Sequence, residues 1–514
     1  MPIISNAYFL FIIAGLLIYY LIPGKAQMAV LLSMNILFYV SYGMKALFFI
    51  MFSICTTYLA GRSIDLLYQH PAGDGKSKVP AESIRKARWI LIIVLILNLG
   101  VLGVLKYTNF IIDNLNRFEA LDLHHLDLLL PLGISYYTFQ SIGYLLDVYW
   151  RRVQAEKGFL RLAVFLSFFP YMLQGPINRY GTLAHQLWEP HGFRRGNIRY
   201  GVLRILWGLF KKMVLADWAA VYADAIFSQP DQYAGIAGFG VLLYSIEIYG
   251  NFSGGIDIVI GTARLFGITM DENFKRPFFS DSVADFWRRW HITLGTWMKD
   301  YVMFPLTMSK TMKKLGKKSK KLLGKKTGRN IPVAISTMVV FFLVGVWHGA
   351  SWGFIGWGVY NGMIIVFSTF AEEFYKKSKK ILHIHDQSTG WRLFKILRTF
   401  LLINLSWYFV CVSSLGDAVK MIGYSLTRLD LSLFLTISSG KLGTDYTPAA
   451  LTILITGCLL LFTVSFFQEK GVDFDSLISK RSFGTQILIF LVLFMISMMF
   501  SPMSAGKGFI YAQF

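Results

Sequence analysis

The run Ile331-Pro-Val-Ala-Ile-Ser-Thr-Met-Val-Val-Phe-Phe-Leu-Val-Gly-Val-Trp347 contains no charge, and just before it Lys310–Arg329 holds nine Lys, one Arg and no acid in twenty residues. A helix needs about 20 mostly apolar residues to cross the ~30 Å of bilayer hydrocarbon. An excess of Lys and Arg marks the cytoplasmic flank. Together the two stretches predict a membrane helix that starts in the cytoplasm. A second apolar segment, Ser351 to Ala371, returns to Glu372–Arg398, where seven bases face three acids. The turn between them, Trp347-His348-Gly349-Ala350, is therefore expected toward the outer face.

The same counting extends both ways. Ile396 to Ser414 leads out, the loop 415–448 is nearly balanced in charge, Ala449 to Phe467 returns, and Gln486 to Pro502 leaves again. The tail Phe509-Ile-Tyr511-Ala-Gln-Phe514 is expected outside. Upstream, Ala7 to Ile22 opens three early spans and is read as retained, since it has neither a basic leader nor a small-residue cleavage site. The basic stretch Arg62–Arg88 precedes a fourth span from Trp89, and a fifth ends at Arg151-Arg152. Residues 158–175 and 251–305 mix charges, Gly and aromatics, and are read as re-entrant. Irregular backbone at membrane depth survives only where protein or a water-filled cavity satisfies it.

Composition agrees. Across 514 residues the net charge is +22, 55% of residues are hydrophobic and 16% charged, against about 25% charged in soluble domains. A soluble globular protein is excluded. The expectation is an all-α polytopic membrane protein, one integral-membrane domain over 1–514 with about eleven or twelve spans plus re-entrant segments. Cys55, Cys411 and Cys458 all lie in apolar runs and suggest neither a disulfide framework nor a zinc site.

Chemistry concentrates in two places. Asp285-Phe-Trp-Arg-Arg-Trp290-His291-Ile-Thr-Leu-Gly-Thr-Trp-Met-Lys-Asp300-Tyr301 places charged side chains and a His among aromatics. Charges at membrane depth need partners or a cavity. His348 stands among Val, Trp, Gly and Ala, where a neutral imidazole can serve as a base near pH 7. For both histidines the alternative is a hydrogen-bonded structural role. His383-Ile-His385-Asp386 lacks a further ligand, so no metal is expected. Gly349-Ala-Ser351-Trp-Gly353 matches a nucleophile elbow in letters only, since it opens a membrane span. There is no phosphate-binding Gly-rich loop and no nucleic-acid module, so nucleic acid is not an expected partner.

These residues resemble the membrane-bound O-acyltransferase (MBOAT) family, in its alginate O-acetyltransferase (AlgI-like) branch, which includes peptidoglycan O-acetyltransferases. The likeness rests on Asp285 to Leu306 followed by Gly345-Val-Trp-His348-Gly-Ala-Ser-Trp. It is extended by Lys106-Tyr-Thr-Asn-Phe110, Pro131-Leu-Gly-Ile-Ser-Tyr-Tyr-Thr-Phe-Gln140, Gln174-Gly-Pro-Ile-Asn-Arg179, Gly208-Leu-Phe-Lys-Lys212, Glu272-Asn-Phe-Lys-Arg-Pro277 and Leu405-Ser-Trp407. The resemblance implies a helical core, about residues 100–375, around a tunnel, with helices and the aromatic tail over 395–514. It also implies acyl transfer from acetyl-CoA to a hydroxyl, with no tightly bound cofactor.

By motif position His348 resembles the family's catalytic histidine and His291 its second one. His291 would polarise the thioester, relay a proton or hold helices together. Trp347 and Trp290 are expected to exclude water, and Asp300, Asn251 and Asp257 to line the tunnel or bind substrate. Tyr511 looks like a tail tyrosine that carries the acyl group; the alternative is an interfacial anchor. The implied setting is a bacterial inner membrane. There an extracytoplasmic polysaccharide would be acetylated through a separate outer-face transferase of the SGNH type, with membrane lipids around the chain.

Two departures stand out. Asn251-Phe-Ser-Gly-Gly-Ile-Asp257 has an amide where the branch often has a carboxylate, and Tyr360-Asn361-Gly362 stands where Tyr-His-Gly is commoner. Alternatives in function are D-alanyl transfer from a carrier protein to teichoic acid and transport of lipid-linked glycans.

Overall fold

The computed structural model describes residues 2–69, 79–117, 121–172, 174–412, 414–430, 432–433 and 447–502. Described residues are helical almost throughout, and their only β-type pairing is the isolated antiparallel bridge between Phe274 and Trp290. Among the described residues, six helices are long and apolar enough to cross a membrane: Met44–Tyr68, Ala81–Leu115, Lys310–His348, Trp352–Phe370, Thr389–Cys411 and Pro448–Glu469. Shorter apolar helices include Asn6–Leu21 and Phe483–Met499. Ser and Thr caps start many of them. Ser5, Ser351, Ser388, Thr447 and Ser482 each accept from a backbone N–H in the first turn, which satisfies donors the helix itself leaves over.

The chain forms two compact units. The first comprises residues up to Ile205 together with Ile256–Asp271. Its helices Asn6–Leu21, Gln27–Val40, Met44–Tyr68, Ala81–Leu115 and Ile134–Tyr149 stand where the five early spans are expected, and of these Met44–Tyr68 and Ala81–Leu115 are long and apolar enough to cross a membrane. Phe159–Ser167 follows, a helix of nine residues, about 14 Å long at 1.5 Å per residue. It is too short to cross a bilayer, as expected for the 158–175 stretch.

The second unit comprises Leu206–Gly255 and the described residues from Glu272 onward. Two expectations are corrected here. The Lys-rich stretch 310–329, expected as a cytoplasmic loop between spans, is helical. It forms a helical hairpin that reverses at Gly324, φ +82°, inside the helix Lys310–His348. The two arms touch closely, since a Cβ on Gly328 would lie 2.3 Å from the Lys320 nitrogen and one on Gly316 3.2 Å from Pro332. Lys and Leu are good helix formers, and a glycine alone takes the left-handed turn at little cost.

The second correction concerns 251–305, whose first part is not irregular. Asn251 and Asp257 both lie on the continuous helix Ala237–Leu265. Glycines keep it regular by admitting a neighbouring backbone. In the second unit a Cβ on Gly254 would meet the Gly208 carbonyl at 2.7 Å, and in the first a Cβ on Gly261 would meet the Gly201 carbonyl at 2.7 Å. Small residues at such crossings let membrane helices pack by direct contact.

Candidate active site

His348 is the last residue of the helix Lys310–His348, and Ser351 caps the next one, Trp352–Phe370. Glycine makes this corner possible. A Cβ on Gly358 would lie 2.3 Å from the Phe341 carbonyl oxygen, and one on Gly345 would lie 2.5 Å from that of Phe354. The two helices therefore cross backbone to backbone, which seats the buried His348 ring against Trp357 at 5.1 Å and Phe354 at 6.3 Å between centroids.

His291 reaches the same place by a different route. It caps the short helix Ile292–Met298 with left-handed backbone, φ 48° and ψ 50°. Two short segments hold it there. Lys275 N donates to Arg289 O at 2.9 Å and Ile292 N donates to Asn273 O at 3.0 Å, on either side of the Phe274–Trp290 bridge. The Asn273 side chain then fixes the tautomer. Its Oδ1 accepts from Thr293 N at 3.0 Å and from Thr293 Oγ1 at 2.9 Å, and lies 3.3 Å from His291 Nδ1.

A backbone N–H can only donate, so this oxygen is the amide's acceptor and Nδ1 carries the proton. His291 lies outside the six long apolar helices, and burial pushes its pKa down to about 3. The ring is neutral at cellular pH, and its Nε2 is a proton acceptor.

The two imidazoles stand 6.2 Å apart between centroids, with Trp347 at 6.0 Å from His291 and 4.9 Å from His348. Trp290, Trp357 and Trp407 surround them, all at most 3% exposed. Trp357 stacks on Trp407 at 5.9 Å, Trp290 packs on Trp407 at 5.9 Å, and Phe252 edges the His291 ring at 4.8 Å. Asn361 ties this wall down. Its Nδ2 donates to Trp357 O at 2.9 Å and its Oδ1 accepts from Trp287 Nε1 at 3.2 Å. Such a site combines proton-accepting nitrogens with walls that exclude water, as an acyl transfer that must avoid hydrolysis requires.

The other candidates divide. Trp347 and Trp290 belong to the cage. Asn251 is buried beside Phe252 on the same helix. Asp257 lies in the first unit, where Arg204 Nε meets its carboxylate at 2.7 Å and Arg204 also donates to Tyr200 at 3.2 Å. Asp300 is half-buried in the π-helical turn Lys299–Met303. Tyr511 and the rest of the tail lie outside the described residues. Ser351, centre of the elbow-like pattern, accepts from Phe354 N as a helix cap, and Asp386 pairs with Lys379 at 2.8 Å. A cavity of about 320 Å³ in the same unit, lined by Val214, Gly457 and Ile496 among others, touches none of the cage residues.

Sequence reading assigned no role to Asn273, Trp357, Trp407 or Asn361. Asn273 and Trp407 stand inside quoted motifs and Asn361 is itself a noted departure; a polar residue inside an apolar run is the available signal for Asn361.

Comparison with known proteins places these residues in context. The family model "MBOAT, membrane-bound O-acyltransferase family" matches residues 154–415, which include both histidines. The chain is 32% identical to the probable alginate O-acetylase AlgI of Pseudomonas syringae pv. tomato over 67% of its length and 62% of that protein's. It is 30% identical to the probable alginate O-acetylase AlgI of Azotobacter vinelandii over 89% of its length and 82% of that protein's. To the peptidoglycan O-acetyltransferase of Helicobacter pylori it is 34% identical, over 66% of its length and 64% of that protein's. The match thus spans somewhat less than two thirds of the first and third relatives.

Proposed function

Since the chain belongs to the membrane-bound O-acyltransferase family, we propose that it takes acetyl from cytoplasmic acetyl-CoA and passes it across a bacterial inner membrane to O-acetylate an extracytoplasmic polysaccharide. The observation that carries this reading is the pairing of His291 and His348, 6.2 Å apart in a tryptophan cage within one unit. The relatives' names, probable alginate O-acetylase and peptidoglycan O-acetyltransferase, support the acetyl group and the polysaccharide.

In the proposed reaction a hydroxyl gives its proton to His348 as its oxygen attacks the thioester carbonyl. The C–S bond then breaks and the CoA sulfur leaves with a proton. Trp347 and Trp290 keep water from competing for the acyl group. His291, with its proton on Nδ1, offers an acceptor at Nε2. That supports proton relay or orientation over polarising the carbonyl, which would require a donor.

The hydroxyl is assigned to Tyr511, whose aromatic tail resembles the acyl-carrying tails of related envelope enzymes. A covalent tyrosyl ester would divide one hard transfer into two easier ones. An outer-face SGNH-type transferase would then collect the acetyl group for the polymer.

The test uses membranes holding the full chain, radiolabelled acetyl-CoA, and the variants His348→Ala and Tyr511→Phe at equal abundance. Base-labile label on the native chain, lost in both variants, is the expected result. Label that survives His348→Ala sinks the catalytic assignment. Labelling only by D-alanyl carrier protein would move the chain to teichoic acid chemistry.

A further inference from the structure

Glu469 ends the membrane helix Pro448–Glu469, beyond the region matched by the family model, and its side chain is only 14% exposed. Three arginines converge on it. Arg276 Nε lies 2.7 Å from Oε2, Arg289 Nη1 lies 3.1 Å from each oxygen, and Arg392 Nη2 lies 3.7 Å from Oε1. The first two are not arbitrary positions. Arg276 follows Phe274 by two residues and Arg289 precedes Trp290, so one carboxylate grips both sides of the bridge that presents His291. Asp285 steadies the same guanidinium, 2.9 Å from Arg289 Nε.

That backbone needs holding. Arg276 and His291 both take left-handed φ, 46° and 48°, a conformation that persists away from glycine only where surrounding structure imposes it. Asn273 restrains the pair from the His291 end; at the other, beyond the backbone bonds of Lys275 N to Arg289 O and Phe279 N to Arg276 O, a side-chain restraint comes from Glu469. Charge-assisted bonds from two guanidinium forks to one half-buried carboxylate supply that restraint.

We propose that Glu469 is a positioning residue for His291: through Arg276 and Arg289 it locks together the two backbone segments whose pairing aims the imidazole. Glu469 touches no reacting atom. It makes the geometry of the site depend on a helix end that lies 180 positions downstream of Arg289. Arg392, exposed and off the bridge, is not part of the lock.

Two readouts test this, one of which does not rest on the acyltransfer reading. Carbethoxylation of individual histidines by diethyl pyrocarbonate, mapped by peptide mass spectrometry in the full chain, reports local opening. Glu469→Gln is expected to raise modification of His291 roughly tenfold through local loosening, while exposed His383 and His385 react as before. Arg392→Ala is expected to leave His291 protected. Unchanged modification of His291 in Glu469→Gln overturns the lock, whatever the chain transfers. If that variant does not accumulate, Arg276→Gln reads the same lock from its other side.

The second readout rests on the proposed function. Glu469→Gln should lower acetyl turnover about tenfold by misplacing a group without removing it, with donor KM unchanged and no further loss in a His291→Ala background. Losses that multiply in the double variant overturn the lock. So does a raised donor KM with normal turnover and normal labelling, which would make the arginines an anion site. Absence of transfer by the native chain, with the labelling result intact, would count against the proposed function alone.

Discussion

Trp287 donates its indole N–H to Asn361 at 3.2 Å, and through that bond a residue of the His291 segment is fastened to the helix that follows His348. Trp287 also packs edge-on against Trp357 at 5.3 Å, the ring that faces His348. The amide at position 361, a departure from the commoner histidine, is thus a fastener between the two halves of the cage. Asn361→Leu leaves the indole N–H without its acceptor, at a cost of about 1–3 kcal/mol. Thermal unfolding in detergent is expected to show the loss, and transfer to fall with it. Asn361→His, which retains an acceptor, should recover most of both.

Removing the proposed base is the most direct probe of chemistry. His348→Ala is expected to lower acetyl transfer about 100-fold or more, the usual range for a general base, with membrane abundance unchanged. His291→Ala should cost less. A double variant no slower than His348→Ala would show that the two act as one unit.

The helix crossing beneath His348 tolerates no side chain. A Cβ on Gly358 would sit 2.3 Å from the Phe341 carbonyl, a backbone atom that cannot swing aside. Gly358→Ala is expected to destabilise the fold by about 1–3 kcal/mol as an overpacked contact and to push His348 off Trp357. Gly390→Ala, where a Cβ meets open space, is the matched control. Equal unfolding temperatures for the two variants would contradict the close crossing.

Acid should weaken the fold partly through His291. Its pKa is depressed to about 3 from an ordinary 6.5, so below pH 6.5 the unfolded chain takes up a proton that the folded chain refuses. Stability is therefore lost as pH falls from 6.5 toward 3, and His291 contributes nothing to the pH slope above that window. In His291→Gln the drop in unfolding temperature between pH 7 and pH 5 should be smaller than in the native chain. An identical drop would mean that the imidazole titrates normally.

Much of this organisation is written in local sequence. Uncharged runs such as Ile331 to Trp347 announce helices because the bilayer leaves the backbone no other partner, and His348 is visible because its motif is contiguous. What stayed hidden depends on distant contact. Lys310–Arg329 reads as a loop between spans because its charges mark a cytoplasmic flank, yet its composition permits a helix and Gly324 folds it back on itself. The segment holding Asn251 and Asp257 reads as irregular, but glycine contacts with a neighbouring helix decide that it stays regular. Glu469 carries no local mark at all, and the motif around Asn273 and the departure at Asn361 do not say what either side chain bonds. Their meaning lies in what they meet across tens to hundreds of positions, which one-dimensional patterning does not record.

The cage has an optical consequence. Trp287, Trp290, Trp347, Trp357 and Trp407 form a connected set of rings around the two histidines, out of thirteen tryptophans in the chain. Indole emission is quenched by a nearby imidazolium and shifts with the polarity around the ring. Protonation of His291, or water entering beside the pair, is thereby written into the chain's own fluorescence. The difference in emission between the native chain and Trp347→Phe isolates the part of that signal that arises at the site, with no substrate present and no label attached.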